Sequence, residues 1–149
     1  MNDRIPLIAG NWKMYKTLPE AVEMARKLAG MVNRSKPEVM IAPPFISLAS
    51  VYDVIQSTPI ELGAQNVFWE NEGAFTGEIS SGMLKSAGCR YVIVGHSERR
   101  QIFSESDDAV HKKVDVVLAS GLSPILCIGE SEIQRDKNQT FAVLDRQLQ

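Results

Sequence analysis

Four short stretches put side chains capable of chemistry directly after apolar runs. Asn11-Trp12-Lys13 follows the first run, Gln65-Asn66 the third, Gly95-His96-Ser97-Glu98 the fourth and Gly129-Glu130 the fifth. A cation, an imidazole and amides are what a site needs to stabilise negative charge developing on a carbonyl oxygen. No Gly-rich phosphate fingerprint accompanies them. His96 and His111 fall on a rim and on a helix, too far apart to act as a metal-ligand pair, so a metal or flavin enzyme is a distant alternative.

Each residue also has a structural reading. A lysine after a strand is ordinarily a solvated surface group, and His96 read by position alone is a hydrogen-bonded structural imidazole ahead of Ser97, a candidate helix cap. Glu98, Arg99 and Arg100 could be a charged first helical turn. Cys127 lies in an apolar run and reads as a small packing residue rather than a nucleophile. His111 reads as a solvated helix residue. The case for a site therefore rests on whether one framework brings these positions together.

That framework is visible in the punctuation. Apolar runs occur at Ile5–Ala9, Val39–Ala42, Ile60–Ala64, Tyr91–Val94 and Ser123–Ile128, about one per thirty residues, and four are near-continuous rather than alternating. Such runs suit strands buried on both faces. Between them lie helical patterns. Thr17 and Glu20 form a capping box ahead of an apolar stripe of Val22, Ala25, Leu28 and Val32. Leu48, Val51, Tyr52 and Ile55 mark a second helix. A cap within Ser104 to Asp107 precedes Val110, Val114, Val117 and Leu118, with Gly121 as the stop. Gln139 to Gln149 reads as a last helix with Phe141, Leu144 and Leu148 on one side.

Strand–helix alternation at this spacing predicts right-handed βαβ units in a parallel sheet. In such sheets ligands bind beyond the carboxyl ends of the strands, so the four polar stretches face one rim. The connection Asn66 to Thr76 is different, because it is long and carries Phe68, Trp69 and Phe75. Exposed apolar surface of that kind usually docks on something.

Bulk properties narrow the class. The chain has 149 residues, 44% hydrophobic and 23% charged, with a formal net charge of −2, a soluble globular composition. A net acidic chain with charges of alternating sign is a poor nucleic-acid partner. No apolar stretch approaches the ~20 residues that cross a bilayer. Without an export signal, the two cysteines, Cys89 and Cys127, are expected as reduced thiols in the cytoplasm.

Taken together, the motifs resemble one family. Ala9-Gly10-Asn11-Trp12-Lys13-Met14, Gly63-Ala64-Gln65-Asn66, Gly73-Ala74-Phe75-Thr76-Gly77-Glu78, Val94-Gly95-His96-Ser97-Glu98-Arg99-Arg100 and Cys127-Ile128-Gly129-Glu130 are similar, in order and separation, to the signatures of the triosephosphate isomerases. The resemblance implies an isomerase of glycolysis and gluconeogenesis that interconverts dihydroxyacetone phosphate and glyceraldehyde 3-phosphate through an enediolate, with no cofactor and no metal. His96 would be the electrophile, Lys13 the electrostatic stabiliser of enediolate and phosphate, Asn11 a substrate-binding amide, and Glu98 the carboxylate that pairs with and positions Lys13. Cys127 would pack behind the site. Met14, Gln65, Phe75 and Thr76 would form a subunit interface, Thr76 approaching the neighbouring subunit's Asn11 and His96.

The fold implied is α/β, an incomplete (β/α)8 TIM barrel of about five parallel β/α units forming one partial domain over residues 1–149. A family member has eight strands and about 250 residues. The segments that carry the glutamate base, the closing lid and the phosphate loops belong to later strands, and Glu130 comes too early to replace the base. The sheet is expected to stay open unless a partner completes it, either a complementary C-terminal fragment or a second copy. Alone, the chain is expected to be inactive. The competing expectation is a non-catalytic, self-associating half-barrel or folding module.

Overall fold

The computed structural model describes residues 4–33 and 37–149. Strand β1 (Leu7–Asn11) leads to helix α1 (Leu18–Met31), then β2 (Glu38–Ala42), a 3₁₀ turn (Phe45–Ser47) and α2 (Leu48–Ile55). Next come β3 (Ile60–Ala64), α3 (Ser81–Ser86), β4 (Cys89–Val94) and α4 (Ser97–Ile102). The chain continues through α5 (Asp107–Ala119), β5 (Ser123–Leu126), α6 (Glu132–Asp136) and α7 (Thr140–Leu148). All neighbouring strands pair in parallel, and the sheet order is the chain order, β1-β2-β3-β4-β5. The product is an open, curled half-barrel, an incomplete TIM barrel. No helix among the described residues is long and apolar enough to cross a membrane.

The sheet has two faces with different partners. Ile41, Leu62, Ala64, Val92 and Val94 point outward and pack beneath Ala21, Ala25, Leu48, Val51, Ile55, Leu84, Val110 and Val117 of the helices. Burial of this apolar area is the main force holding the layers together. The concave face carries a smaller cluster of Met40, Ala42 and Ile93, flanked by Tyr91, Ile125 and Cys127. Parallel strands pack apolar residues on both faces, which is why these runs read as nearly continuous in the sequence.

Strand boundaries move relative to expectation: β1 begins at Leu7 rather than Ile5, β2 at Glu38 rather than Val39 and β4 at Cys89 rather than Tyr91. β1 runs to Asn11 rather than stopping at Ala9, because its pairing with β2 continues to Asn11 opposite Ala42. β5 ends at Leu126, although the Cys127 N–H still donates to the Val94 carbonyl at 2.9 Å. At the exposed edge, Ile8 is 58% solvent-accessible, as befits a strand with a neighbour on one side alone.

Helix phases also differ in detail. Glu20 accepts from both the N–H and the hydroxyl of Thr17 at 2.7 Å, and this capping pair starts α1. The buried stripe is Ala21 and Ala25, with Leu28 and Val32 partly covered, so Val22 is rotated off its centre. Ser106 is the cap of α5, accepting the Ala109 N–H at 3.2 Å, while Ser104 makes the preceding turn at φ 55°. Tyr52 and Leu118 stay exposed. In α7 the buried residue is Val143, and Phe141 is 84% exposed. α7 turns Val143 inward and is tied to its neighbours by bonds from Arg146 to Asp107 and between Gln147 and Gly129.

Gly63 shows how tightly the concave face is packed. A Cβ there would lie 2.4 Å from Met40 Sδ, and Met40 is completely buried. Gly63→Ala is expected to destabilise the chain by about 1–3 kcal/mol through overpacking. Urea denaturation followed by circular dichroism measures it, and an unchanged midpoint would show that Met40 swings aside without cost.

Candidate active site

The site is assembled from the carboxyl ends of β1, β3 and β4. At the end of β1, Lys13 takes a positive φ of 53°, a conformation that costs a non-glycine residue on the order of 1–3 kcal/mol. Side chains from two strands hold it there. The Lys13 N–H donates to Asn11 Oδ1 at 2.9 Å. Gln65, just past β3, donates from Nε2 to the Lys13 carbonyl at 2.9 Å and to the Ala42 carbonyl at 2.8 Å. Both polar groups of the Lys13 backbone are thereby satisfied, and the loop after β1 is tied to the end of β2.

At the end of β4, Gly95 makes the turn into α4 with φ 70°. A Cβ at this position would sit 3.0 Å from the Arg100 guanidinium and 3.1 Å from both Val110 methyls. His96 follows as the helix cap, and its Nδ1 accepts the Glu98 N–H at 3.2 Å. The cap is thus His96 rather than Ser97. A Glu98 carboxylate oxygen also lies 3.5 Å from Nδ1, but the backbone donor is closer and already uses the lone pair. With Nδ1 accepting, the proton of the neutral ring resides on Nε2.

Lys13 and Glu98 close the arrangement across the rim, with Nζ 2.6 Å from Oε1. The hydrogen bond from Lys13, reinforced by its charge, holds the Glu98 carboxyl below the usual carboxylate range. Reciprocally, the bond to Glu98 and its charge raise Lys13 above the ordinary lysine value. Asn11, Lys13, Gln65, His96 and Glu98 line one cleft of about 180 Å³, together with Met14, Phe45 and Phe103. A second cleft of about 520 Å³ opens on the other side of His96, toward Cys127, Gly129 and Glu130. A fixed cation and an imidazole N–H donor beside two open clefts can polarise a carbonyl and hold a developing oxyanion.

Beneath the rim lies a charge network that sequence reasoning missed. Lys113 of α5 is 3% exposed. Its ammonium donates to Asn66 Oδ1 at 2.8 Å and to Glu105 Oε1, and Arg99 Nε reaches the same Glu105 oxygen at 3.0 Å. Burial pushes the Glu105 carboxyl up, but the bonds and charges of Lys113 and Arg99 together bring it below the usual carboxylate range. The network ties α5 and the loop after β3 to α4, which carries Glu98 and is capped by His96. One signal was available: Val110, Lys113 and Val117 are spaced 3 and 4 apart, placing Lys113 on the buried stripe.

The remaining candidates are spread over several places. Cys127 is half-buried against the concave cluster, and burial raises its thiol despite the opposing Arg100. Cys89 is buried and its thiol is pushed up to about 12. Glu130 is engaged by Arg135 at 2.8 Å, and that hydrogen bond is the main reason its carboxyl sits below the usual range. Phe75 and Thr76 stand apart from the cleft on the long loop, where Phe68 packs on Trp69 and Phe75 with ring centroids 4.2 and 4.7 Å away. Thr76 is exposed, and Met14, beside the cleft, is 95% exposed. His111 lies on the exposed side of α5, 3.4 Å from Asp115.

This geometry has close counterparts. The family model described as triosephosphate isomerase matches residues 6–149. A triosephosphate isomerase from Thermoanaerobacter pseudethanolicus is 55% identical over 141 residues, covering 95% of this chain and 57% of that relative. One from Chloroflexus aurantiacus is 53% identical over 146 residues, covering 97% of this chain and 58% of the relative. The crystal structure of triosephosphate isomerase from Bartonella henselae superposes with a TM-score of 0.92 at 41% identity, covering 97% of this chain and 60% of that one. The chain therefore spans somewhat more than half the length of the relatives it matches. With a family model matched over nearly every residue and the same fold in a solved member, this chain belongs to the triosephosphate isomerase family.

Proposed function

We propose that these 149 residues supply the electrophile and the cation of a triosephosphate isomerase site. The reaction is the interconversion of dihydroxyacetone phosphate and glyceraldehyde 3-phosphate through an enediolate. The observation that carries the reading is the Lys13–Glu98 ion pair spanning the same cleft as His96, whose Nδ1 is occupied by a backbone N–H. The family is itself the standard illustration of a neutral imidazole acting as an electrophile. In that role His96 Nε2–H donates to the substrate carbonyl oxygen and strengthens its grip as charge develops there. Lys13 stabilises the same charge and the phosphate, Asn11 offers its amide NH₂, and Glu98 positions Lys13. Substrate charge and the ammonium are brought together in a site that a closed barrel would shield from water, where such contacts are strongest.

The base is assigned to no residue of these 149. Glu130 is committed to Arg135, on the far side of His96 from the Lys13 cleft. General-base catalysis contributes about 10²–10⁴ in rate, so the 149-residue polypeptide alone is expected to show no isomerisation above buffer. Mixing it with a chain corresponding to the C-terminal remainder of the Thermoanaerobacter relative should restore turnover in a coupled dehydrogenase assay. Recovery of activity in no ratio, despite formation of a complex, would refute the reading.

The interface reading follows from exposed apolar surface. Met14 beside the cleft and Phe75 on the aromatic loop are both open to solvent, and a loop inserted from a second subunit would cover both. Thr76 would then lie near the partner subunit's Asn11 and His96, with Gln65 at the edge of the contact. The free thiols of Cys89 and Cys127 suit a reducing, cytoplasmic setting. A second reading, a non-catalytic half-barrel that self-associates, is favoured by the exposed Ile5 and Ile8 at the β1 edge. A stable homo-oligomer by light scattering that binds no phosphate ligand would support it over the first.

A further inference from the structure

We infer that Gln147, on α7, is a positioning residue for the β5 rim of the site. Its Oε1 accepts the Gly129 N–H at 2.8 Å, and its Nε2 donates to the Gly129 carbonyl at 3.2 Å. One carboxamide therefore engages both backbone groups of a single rim residue, as a neighbouring peptide unit would. Gly129 sits in the wall of the larger cleft, across from His96.

A continuous set of contacts runs from this clasp to the imidazole. Two residues before Gly129, the Cys127 N–H donates to the Val94 carbonyl at 2.9 Å, and the Cys127 carbonyl receives Arg100 Nη2 at 3.4 Å. Arg100 Nε donates to the Gly95 carbonyl at 2.8 Å, one residue ahead of His96. The neighbour of Gln147 reinforces the same set, since Arg146 Nε binds Asp107 at 3.0 Å and Asp107 in turn holds Arg100. α7 thus grips the rim at two adjacent positions, one on Gly129 and one through Asp107 on the arginine that joins β4 to β5. Supporting contacts of this kind fix where a reacting group points. The isomerase reading says what the rim is for; the clasp itself stands without it.

The test uses the 149-residue chain, isotopically labelled, with Gln147→Met (same length, neither hydrogen bond) and Gln147→Glu (acceptor retained, donor lost). Gly129 amide exchange should accelerate by about tenfold or more in Gln147→Met and by an intermediate factor in Gln147→Glu. The His96 imidazole nitrogen signals should shift in Gln147→Met and return part of the way in Gln147→Glu, with the thermal midpoint little changed. Unaltered Gly129 exchange in Gln147→Met would overturn the clasp. Accelerated exchange with unmoved His96 signals would overturn the positioning role. If the complemented wild-type assembly shows no isomerase activity, the isomerase reading falls, and these two nuclear magnetic resonance measurements still decide on Gln147.

Discussion

Lys13→Met, placed in an assembly restored to activity, is expected to lower kcat/KM by about 10²–10³, the usual cost of removing one preorganised group from an oxyanion site. The fold should be unaffected. Lys13 lies on the rim with its side chain nearly half exposed and its ammonium paired to an equally exposed Glu98, so little packing is lost. On the proposed reading most of the drop should appear in kcat, because the charge that Lys13 would meet is larger in the transition state than in the bound substrate. His96→Gln should cost about 10²–10⁴, since glutamine keeps a donor without the geometry of the capped ring. Glu98→Gln should cost less than either, because in the proposed reading Glu98 would act only through its contact with Lys13. Steady-state kinetics on the three variants settles the ordering. Equal, mild effects from all three would mean that the cleft binds something other than the reacting oxygen.

Lys113→Met is expected to cost about 3 kcal/mol of stability. It removes one of the two cations on a carboxylate that is itself almost completely covered, and it strips the partner from Asn66. For a chain of this size that corresponds to a fall in Tm of about 6–12 °C. The pH dependence should change with it. In the native chain Glu105 is held below its usual range, so its contribution is fully present above the unfolded carboxylate value of about 4.3 and fades as pH falls through the lower folded value. Without Lys113 the folded value rises, so Glu105 loses less stability in acid, and the Tm deficit of the variant should shrink as pH falls through the carboxylate range and the uncompensated charge is protonated. Lys113→Met combined with Glu105→Gln should recover part of the loss, because the uncompensated charge is gone. Thermal melts between pH 3 and 7 test both points; a Tm within error of the parent would show that Arg99 alone satisfies Glu105.

The two residues behind these predictions differ in how they could be found. Lys13 by position alone reads as a solvated surface group, and it is found because it stands after an apolar run within a stretch that resembles a family signature. Lys113 carries no motif, and its charge argues for solvent. Its burial depends on Asn66 and Glu105, one 47 residues away, arriving at the same point. Gln147 was hidden in the same way, since its role is a pair of hydrogen bonds to the backbone of Gly129, 18 residues away, and so was the bond from Arg100 to the Cys127 carbonyl. The aromatic loop is intermediate. Its composition showed that it must cover apolar surface, and the structure adds that Phe68, Trp69 and Phe75 cover much of it against one another.

By itself the sequence determined the parallel order of the strands, because near-continuous apolar runs separated by capped helical stripes allow few other arrangements. It also determined which residues stand at the carboxyl-side rim, because a rim position follows from strand ends alone. The tertiary structure decided how those residues are held: the left-handed backbone of Lys13 fixed by Asn11 and Gln65, the capped imidazole of His96, the phase of α7 and the buried ion network under α4. These features depend on which groups meet across long stretches of chain. Local patterning sets periodicity within a segment, whereas the partner of a buried charge is chosen only when the segments pack.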